Sequence, residues 1–182
     1  KIGTATQVLG GSNVSVGQGS IQIDNGTLQI GDGVNNTTFV SGAVTNDATL
    51  VFNRPVGGAA LTHAQSVSGT GDLIIVQSGG IDFTQGVAQA NITIQDSADG
   101  RTVSFGGDTF ITGALTVAAG TGAYNVEMTG DNSRVAGLTT FSNRGSLTLG
   151  NGGDLVSFVG GVVALDASAI SLGGTIATEG VG

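Results

Sequence analysis

The chain is poor in several residue types, and each scarcity excludes something. It has no cysteine and no tryptophan, one proline (Pro55), one tyrosine (Tyr124) and one histidine (His63) in 182 residues. Without cysteine there is no disulfide framework, so stability outside a cell would rest on packing and hydrogen bonds alone. With one histidine and no cysteine, a transition-metal site would have to be built from carboxylates. Basic residues are nearly as scarce: Lys1, Arg54, Arg101, Arg134 and Arg144 stand against thirteen acids, a net charge of −8. Nucleic acid and anionic membrane surfaces both recruit basic side chains, so neither is an expected partner. No apolar run approaches the roughly 18–20 residues that span a bilayer, and membrane insertion is not expected. The chain opens at Lys1 with no Met and no visible signal peptide, and it reads as a segment of a longer protein.

Charge of either sign is low, at 10% of residues, against a usual value of about 25%. Apolar residues make up 39%, and Ser, Thr, Asn and Gln supply most of the polarity. That balance argues against disorder, which goes with high net charge or too little apolar surface to bury. Glycine is the abundant residue, 34 in all, without the period of three that marks collagen.

Helical patterning is nearly absent, while apolar residues recur at i and i+2 in short bursts. Examples are Ile21/Ile23, Leu28/Ile30, Leu50/Phe52, Ile81/Phe83, Ile92/Ile94, Val103/Phe105, Leu115/Val117, Val126/Met128, Leu147/Leu149, Val163/Leu165 and Ile170/Leu172. This is the signature of strands with one buried face. Gly, Asn, Asp and Ser, which accept turn conformations, lie between the bursts. The bursts keep a register: Leu28, Leu50 and Leu73 lie 22 and 23 residues apart, and Ile92, Leu115 and Leu138 lie 23 and 23 apart. A second series, Ile81, Val103, Val126, Leu147 and Ile170, steps by 22, 23, 21 and 23. A fixed period in this range marks a solenoid. Leucine-rich repeats need helical segments that are missing, and an antiparallel sandwich has no reason to hold the register. The expected fold is all-β, a right-handed parallel β-helix with about 22 residues per coil, about eight coils and at least two strands in each. A single β-helical domain over residues 1–182 follows. In the stretch SLTLGNGGDLVSF (Ser146 to Phe158), Leu147, Leu149, Val156 and Phe158 should point inward around a glycine-rich corner.

Six constellations could carry a function. Asp108 and Asp154 each follow Gly-Gly, as in calcium-binding nonapeptides, but neither fits that pattern, and the two lie 46 residues apart rather than nine. The simpler reading is that both close their turns with side-chain hydrogen bonds. GDGVNN (Gly31 to Asn36) lacks the GK[ST] ending and the following helix of a phosphate loop. Carbohydrate chemistry needs converging carboxylates, for which Asp72 with Asp82, and Asp96 with Asp99 near Arg101, are the nearest sets. Three or more carboxylates meeting Arg101 or Tyr124 would favour it. His63 reads as a surface or corner residue, and Arg144-Gly145-Ser146 as a turn. Thr27, Thr93, Thr116 and Thr148 face outward without the regular rows an ice-binding face requires. No catalytic, cofactor-binding or metal-ligating set is assigned, and no enzyme activity is expected.

Thr45 to Pro55 (TNDATLVFNRP) and Ser66 to Gly86 (SVSGTGDLIIVQSGGIDFTQG) resemble the passenger repeats of bacterial autotransporters. GTLQIGDG (Gly26 to Gly33) is similar to another element of those repeats. FSNRGSLTLGNGGD and ASAISLGGTIATEG, in the second half, resemble the looser repeats of filamentous-haemagglutinin-like surface proteins. Ala48, Ile74 and Ile75 depart from the repeat pattern. The resemblance implies a secreted, outer-membrane-associated stalk or adhesin segment at the cell surface, on a right-handed β-helix. The partners it leaves in view are neighbouring repeats, self-association through the coil ends, and a host or surface glycan. The alternative is a carbohydrate-binding or carbohydrate-active β-helix.

Overall fold

A computed structural model describes residues 3–15 and 19–179. The side chain of Val14, and Val16 altogether, expected in the first coil, lie outside the described residues. The regular structure described is β throughout, 24 strands pairing only in parallel and arranged on three faces. The first face stacks β1 (Thr6–Leu9), β4 (Thr27–Ile30), β7 (Thr49–Asn53), β10 (Asp72–Gln77), β13 (Asn91–Ile94), β16 (Leu115–Val117), β19 (Thr139–Phe141) and β22 (Val162–Ala164). The second stacks β8 (Leu61–His63), β11 (Ile81–Phe83), β14 (Thr102–Phe105), β17 (Asn125–Met128), β20 (Ser146–Leu149) and β23 (Ala169–Leu172). Before β8 in the chain, β2 (Asn13–Ser15) and β5 (Thr38–Val40) form a ladder of their own. The third face stacks β3 (Ile21–Ile23), β6 (Val44–Asn46), β9 (Val67–Ser68), β12 (Val87–Gln89), β15 (Thr109–Ile111), β18 (Asn132–Val135), β21 (Leu155–Phe158) and β24 (Thr175–Thr178).

Each coil therefore contributes one strand to each face, and the fold is a parallel β-helix. The eight layers are related by seven steps of 19 to 24 residues, followed on the first face through Gln7, Leu28, Leu50, Leu73, Ile92, Leu115, Thr139 and Val162. At about 4.8 Å per step the outer layers lie roughly 34 Å apart.

Alternation sends one set of side chains into a narrow core. Leu28, Leu50, Leu73, Ile92 and Leu115 form one buried column, and Ile30, Phe52, Ile75, Ile94, Val117 and Phe141 run beside it. On the second face Leu61, Ile81, Val103, Val126 and Leu147 stack as the spacing required. Leu147, Leu149, Val156 and Phe158 are all buried, so the Ser146 to Phe158 stretch crosses two walls of the coil. Between them Gly150 turns the chain at φ +73°, where a Cβ would sit 1.9 Å from the carbonyl oxygen of Gly173. Only glycine allows that approach.

The third face has no counterpart in the two 22-residue series, although Ile21/Ile23 and Val156/Phe158 belong to it, because polar residues interrupt its inward row. Asn46, Gln89, Thr109 and Ser133 are buried there. Asn46 Nδ2 donates to Gln89 Oε1 although the residues lie two layers apart. The intervening layer presents Gly69, whose missing Cβ would lie 2.1 Å from the Asn46 carbonyl oxygen. A glycine gap lets the two amides meet and satisfy each other inside the core.

The register differs from expectation at two adjacent layers of the first face. Leu138 is 54% exposed, and Thr139 takes the inward place beneath Leu115. Val162 and Ala164 likewise hold the inward register in place of Val163 and Leu165, which face out. Phe141 explains the shift. Its ring is fully buried, edge-on to Phe158 with 6.2 Å between the centroids. With Phe141 inward, strand parity forces Thr139 in and Leu138 out.

Candidate functional site

A lateral groove of about 370 Å3 lies on the second face, with Asp82, Arg101, Ser104 and Glu127 in its lining. Its origin is the pleat. Ile81, Val103 and Val126 point inward, so Asp82, Ser104 and Glu127, each one residue later, stack on the outside in successive layers. Two rungs at about 4.8 Å put the backbones of Asp82 and Glu127 roughly 9.6 Å apart. Arg101 comes from the corner before β14, where its carbonyl accepts from Asn125 N at 2.7 Å. The groove thus holds two carboxylates and one guanidinium, side by side on an exposed wall.

The other acids expected to converge do not reach it. Asp72 lies on the first face and accepts from Asn91 Nδ2 at 2.9 Å. Asp96 receives Thr121 N at 3.0 Å and Thr121 Oγ1 at 2.7 Å, and Asp99 receives Ala123 N at 2.9 Å. Both link one coil to the next through a corner. Tyr124 is fully buried and donates its hydroxyl to the Ala118 carbonyl. Burial first, then the charge of Asp96, push its phenol well above the ordinary value. Two carboxylates with Arg101 fall short of the three that would favour carbohydrate chemistry, and Tyr124 offers no ring to a sugar.

The Gly-Gly-Asp turns diverge. Asp154 Oδ2 accepts from Asn151 N at 2.9 Å inside its own turn, as expected, but Asp108 Oδ1 reaches the next coil and accepts from Asn132 N at 2.9 Å. The step from β15 to β18 is 24 residues, so Asp108 aligns with Asn132, while Asp131 aligns with Asp154 one place earlier. That offset breaks what would otherwise be a carboxylate column. Among the described residues no three His, Asp or Glu side chains gather as a metal shell. In GDGVNN, Asp32 occupies the would-be anion cradle itself. Hydrogen bonds from Asn35 N (2.8 Å), Asn35 Nδ2 (2.7 Å) and Val34 N (3.0 Å) hold its carboxyl down to about 2. Arg144 donates to the Gly120 and Thr121 carbonyls at 2.7 and 2.9 Å, so its tripeptide is a tethered corner. Thr93 and Thr116 do stack outward, in line with Thr140.

Two ionisable residues prove to be buried. His63 is a core residue, not a surface or corner one: it is 2% exposed and aligned with Phe83. Its ring stacks on Phe39 at 5.6 Å and meets Phe83 edge-on at 6.0 Å. Burial depresses its basicity below the ordinary value. The period-2 rule could have found it, since His63 follows the inward Leu61 by two. Arg54 is also buried; its Nε donates to Thr37 O at 2.7 Å and its Nη2 to Asn36 Oδ1 at 2.8 Å. It pins the loop that leads into β5. No protein-family model, curated protein or solved structure matches this chain.

Proposed function

We propose that this chain is a structural or adhesive β-helical module of an exported bacterial cell-surface protein, a stalk or adhesin segment displayed outside the outer membrane. The observation that carries the reading is the sustained register: eight layers of short parallel strands stack on three faces. Ile170 and Leu172 still keep the inward register of Leu147 and Leu149 in the last described layer. In-register strands of this kind suit stacking against further coils, its own or those of another copy. The few charges and the repeat-like segments TNDATLVFNRP and SVSGTGDLIIVQSGG support the same reading. An antibody raised against the chain should label intact cells of the source organism. Labelling only after permeabilisation would overturn the proposal. The isolated chain should also associate as its concentration rises in sedimentation velocity, and Leu172→Lys should weaken that association. A strictly monomeric rod at high concentration would remove the end-to-end element.

Short of the three carboxylates that carbohydrate chemistry would call for, the groove of Asp82, Arg101 and Glu127 leaves carbohydrate binding on the lateral wall as the second reading. Calorimetric titration with neutral and acidic oligosaccharides, against Glu127→Gln, separates the two.

A further inference from the structure

Charged side chains are few in this chain, and most of those described above are tied to the backbone. Asp32, Asp96, Asp99, Asp108 and Asp154 accept main-chain N–H groups at corners, and Asp47 accepts from Thr70 N at 3.0 Å. Arg54 and Arg144 donate to main-chain carbonyls. The groove on the second face is built differently. Among the described residues, no hydrogen bond or ion pair engages the side chains of Asp82, Arg101 or Glu127, and the hydroxyls of Thr102 and Ser104 are equally unused. Asp82 and Glu127 are half-buried and Arg101 is exposed, so all three are open to solvent.

Register explains why these charges stay apart. Asp82, Ser104 and Glu127 form one outward column. Beside it runs a column of small residues, Ala60, Gly80 and Thr102, each one place before the inward Leu61, Ile81 or Val103. At Gly80 an added Cβ would lie 3.5 Å from Ala60 Cβ and 3.6 Å from Arg101 Cβ, on the floor of the groove. Arg101 bounds the far side, three residues before Ser104, roughly 10 Å along an extended chain. Carboxylates and guanidinium thus stand on opposite sides of a shallow floor. The 370 Å3 between them falls within the range of small-molecule sites.

The lining restricts the ligand. No aromatic residue takes part, so no ring face is offered to a sugar. Two carboxylates against one guanidinium leave negative charge in excess, and the complement is a cation that also carries one anionic group. Guanidinium pairs with carboxylate in a bidentate fork, and an ammonium suits the two acids. A free basic amino acid has both groups and a net positive charge. A basic residue at the C-terminus of a peptide presents the same carboxylate and side-chain cation.

We propose that the groove binds a small zwitterion of the basic amino-acid type, its carboxylate on Arg101 and its side-chain ammonium on Asp82 and Glu127. The proposal shares the groove of the second reading, names a different ligand for it, and does not depend on the surface-module reading.

The intact chain at low ionic strength is titrated with lysine, Nα-acetyl-lysine, cadaverine, cellotriose and trigalacturonate, and the Thr102, Ser104 and Glu127 amides are followed by NMR. Saturable shifts with lysine are expected, weakening as salt is added. Equal affinity for Nα-acetyl-lysine assigns a peptide C-terminus, and a loss assigns the free amino acid. Arg101→Gln should weaken lysine about tenfold, the low end for a hydrogen bond to a charged group because the wall is exposed. The same variant should leave cadaverine, which has no carboxylate, unchanged, whereas Glu127→Gln should weaken both. The proposal is overturned if lysine does not saturate, if cadaverine binds as tightly as lysine, or if Arg101→Gln leaves lysine unaffected. Saturation by either oligosaccharide without lysine overturns it and leaves the carbohydrate reading standing. No saturation with any probe removes both.

Discussion

Thr139→Val should make the protein more stable, although it removes a polar group from a strand rich in threonine. Thr139 is fully buried, and its Oγ1 makes no hydrogen bond within the protein. It sits in register with Leu115 on one side and Val162 on the other, so its neighbours along the column are aliphatic. Burying a hydroxyl without a partner costs about 1–3 kcal/mol by protein mutational measures, and valine keeps the branched shape while removing that cost. A gain of about 1–2 kcal/mol is expected. With a urea m-value of about 2 kcal/mol/M, the midpoint should rise by about 0.5–1 M at unchanged m. Circular dichroism in the far ultraviolet reads the transition, and the constancy of m guards against coils unfolding separately. Leu138→Ala is the control: Leu138 is more than half exposed, and its loss should cost less than about 0.5 kcal/mol. The reasoning is refuted if Thr139→Val lowers the midpoint while Leu138→Ala costs about 2 kcal/mol or more, because that pattern belongs to the opposite strand parity.

Leu50→Ala and Leu115→Ala, both fully buried, should each cost about 2–5 kcal/mol; losses below about 0.5 kcal/mol at both would mean that the columns are not the core. His63 gives a pH dependence of definite sign. Its folded-state pKa lies below the unfolded value of 6.5 because the imidazole is buried, so the unfolded chain binds the extra proton first. The stability is complete above about pH 6.5 and falls as pH drops from there through the folded-state value. His63→Phe should flatten urea midpoints measured across that window, and an unchanged slope would show that His63 stays solvated. Chelator should leave the melting temperature where it is, because Asp108 and Asp154 spend their carboxylates on Asn132 N and Asn151 N. A drop of many degrees that added calcium reverses would make those turns ligands.

The β-helix and most of its core were legible in the sequence by itself. Strand period and coil period both arise from local geometry: alternation places every second residue inside, and a coil that returns to the same wall must repeat its apolar positions. Leu28, Leu50, Leu73, Ile92 and Leu115 report both. Tertiary structure alone decided where the rule had no apolar residue to act on. The third face showed in the sequence only at Ile21/Ile23 and Val156/Phe158, because Asn46, Gln89, Thr109 and Ser133 take inward places between them, made tolerable by hydrogen bonds that no local pattern encodes. Parity at Leu138 and Thr139 was set by the buried ring of Phe141, not by the more apolar of the two neighbours. The candidate sites depended on the same kind of information. Asp82 and Glu127 share a groove because 22- and 23-residue steps bring Ser104 between them, whereas a single 24-residue step takes Asp108 out of line with Asp131. His63 became a buried ring stacked on Phe39, a residue one coil earlier in the chain. Backbone pairing between strands distant in sequence is a property of the folded coil, and local composition carries no record of where it fails.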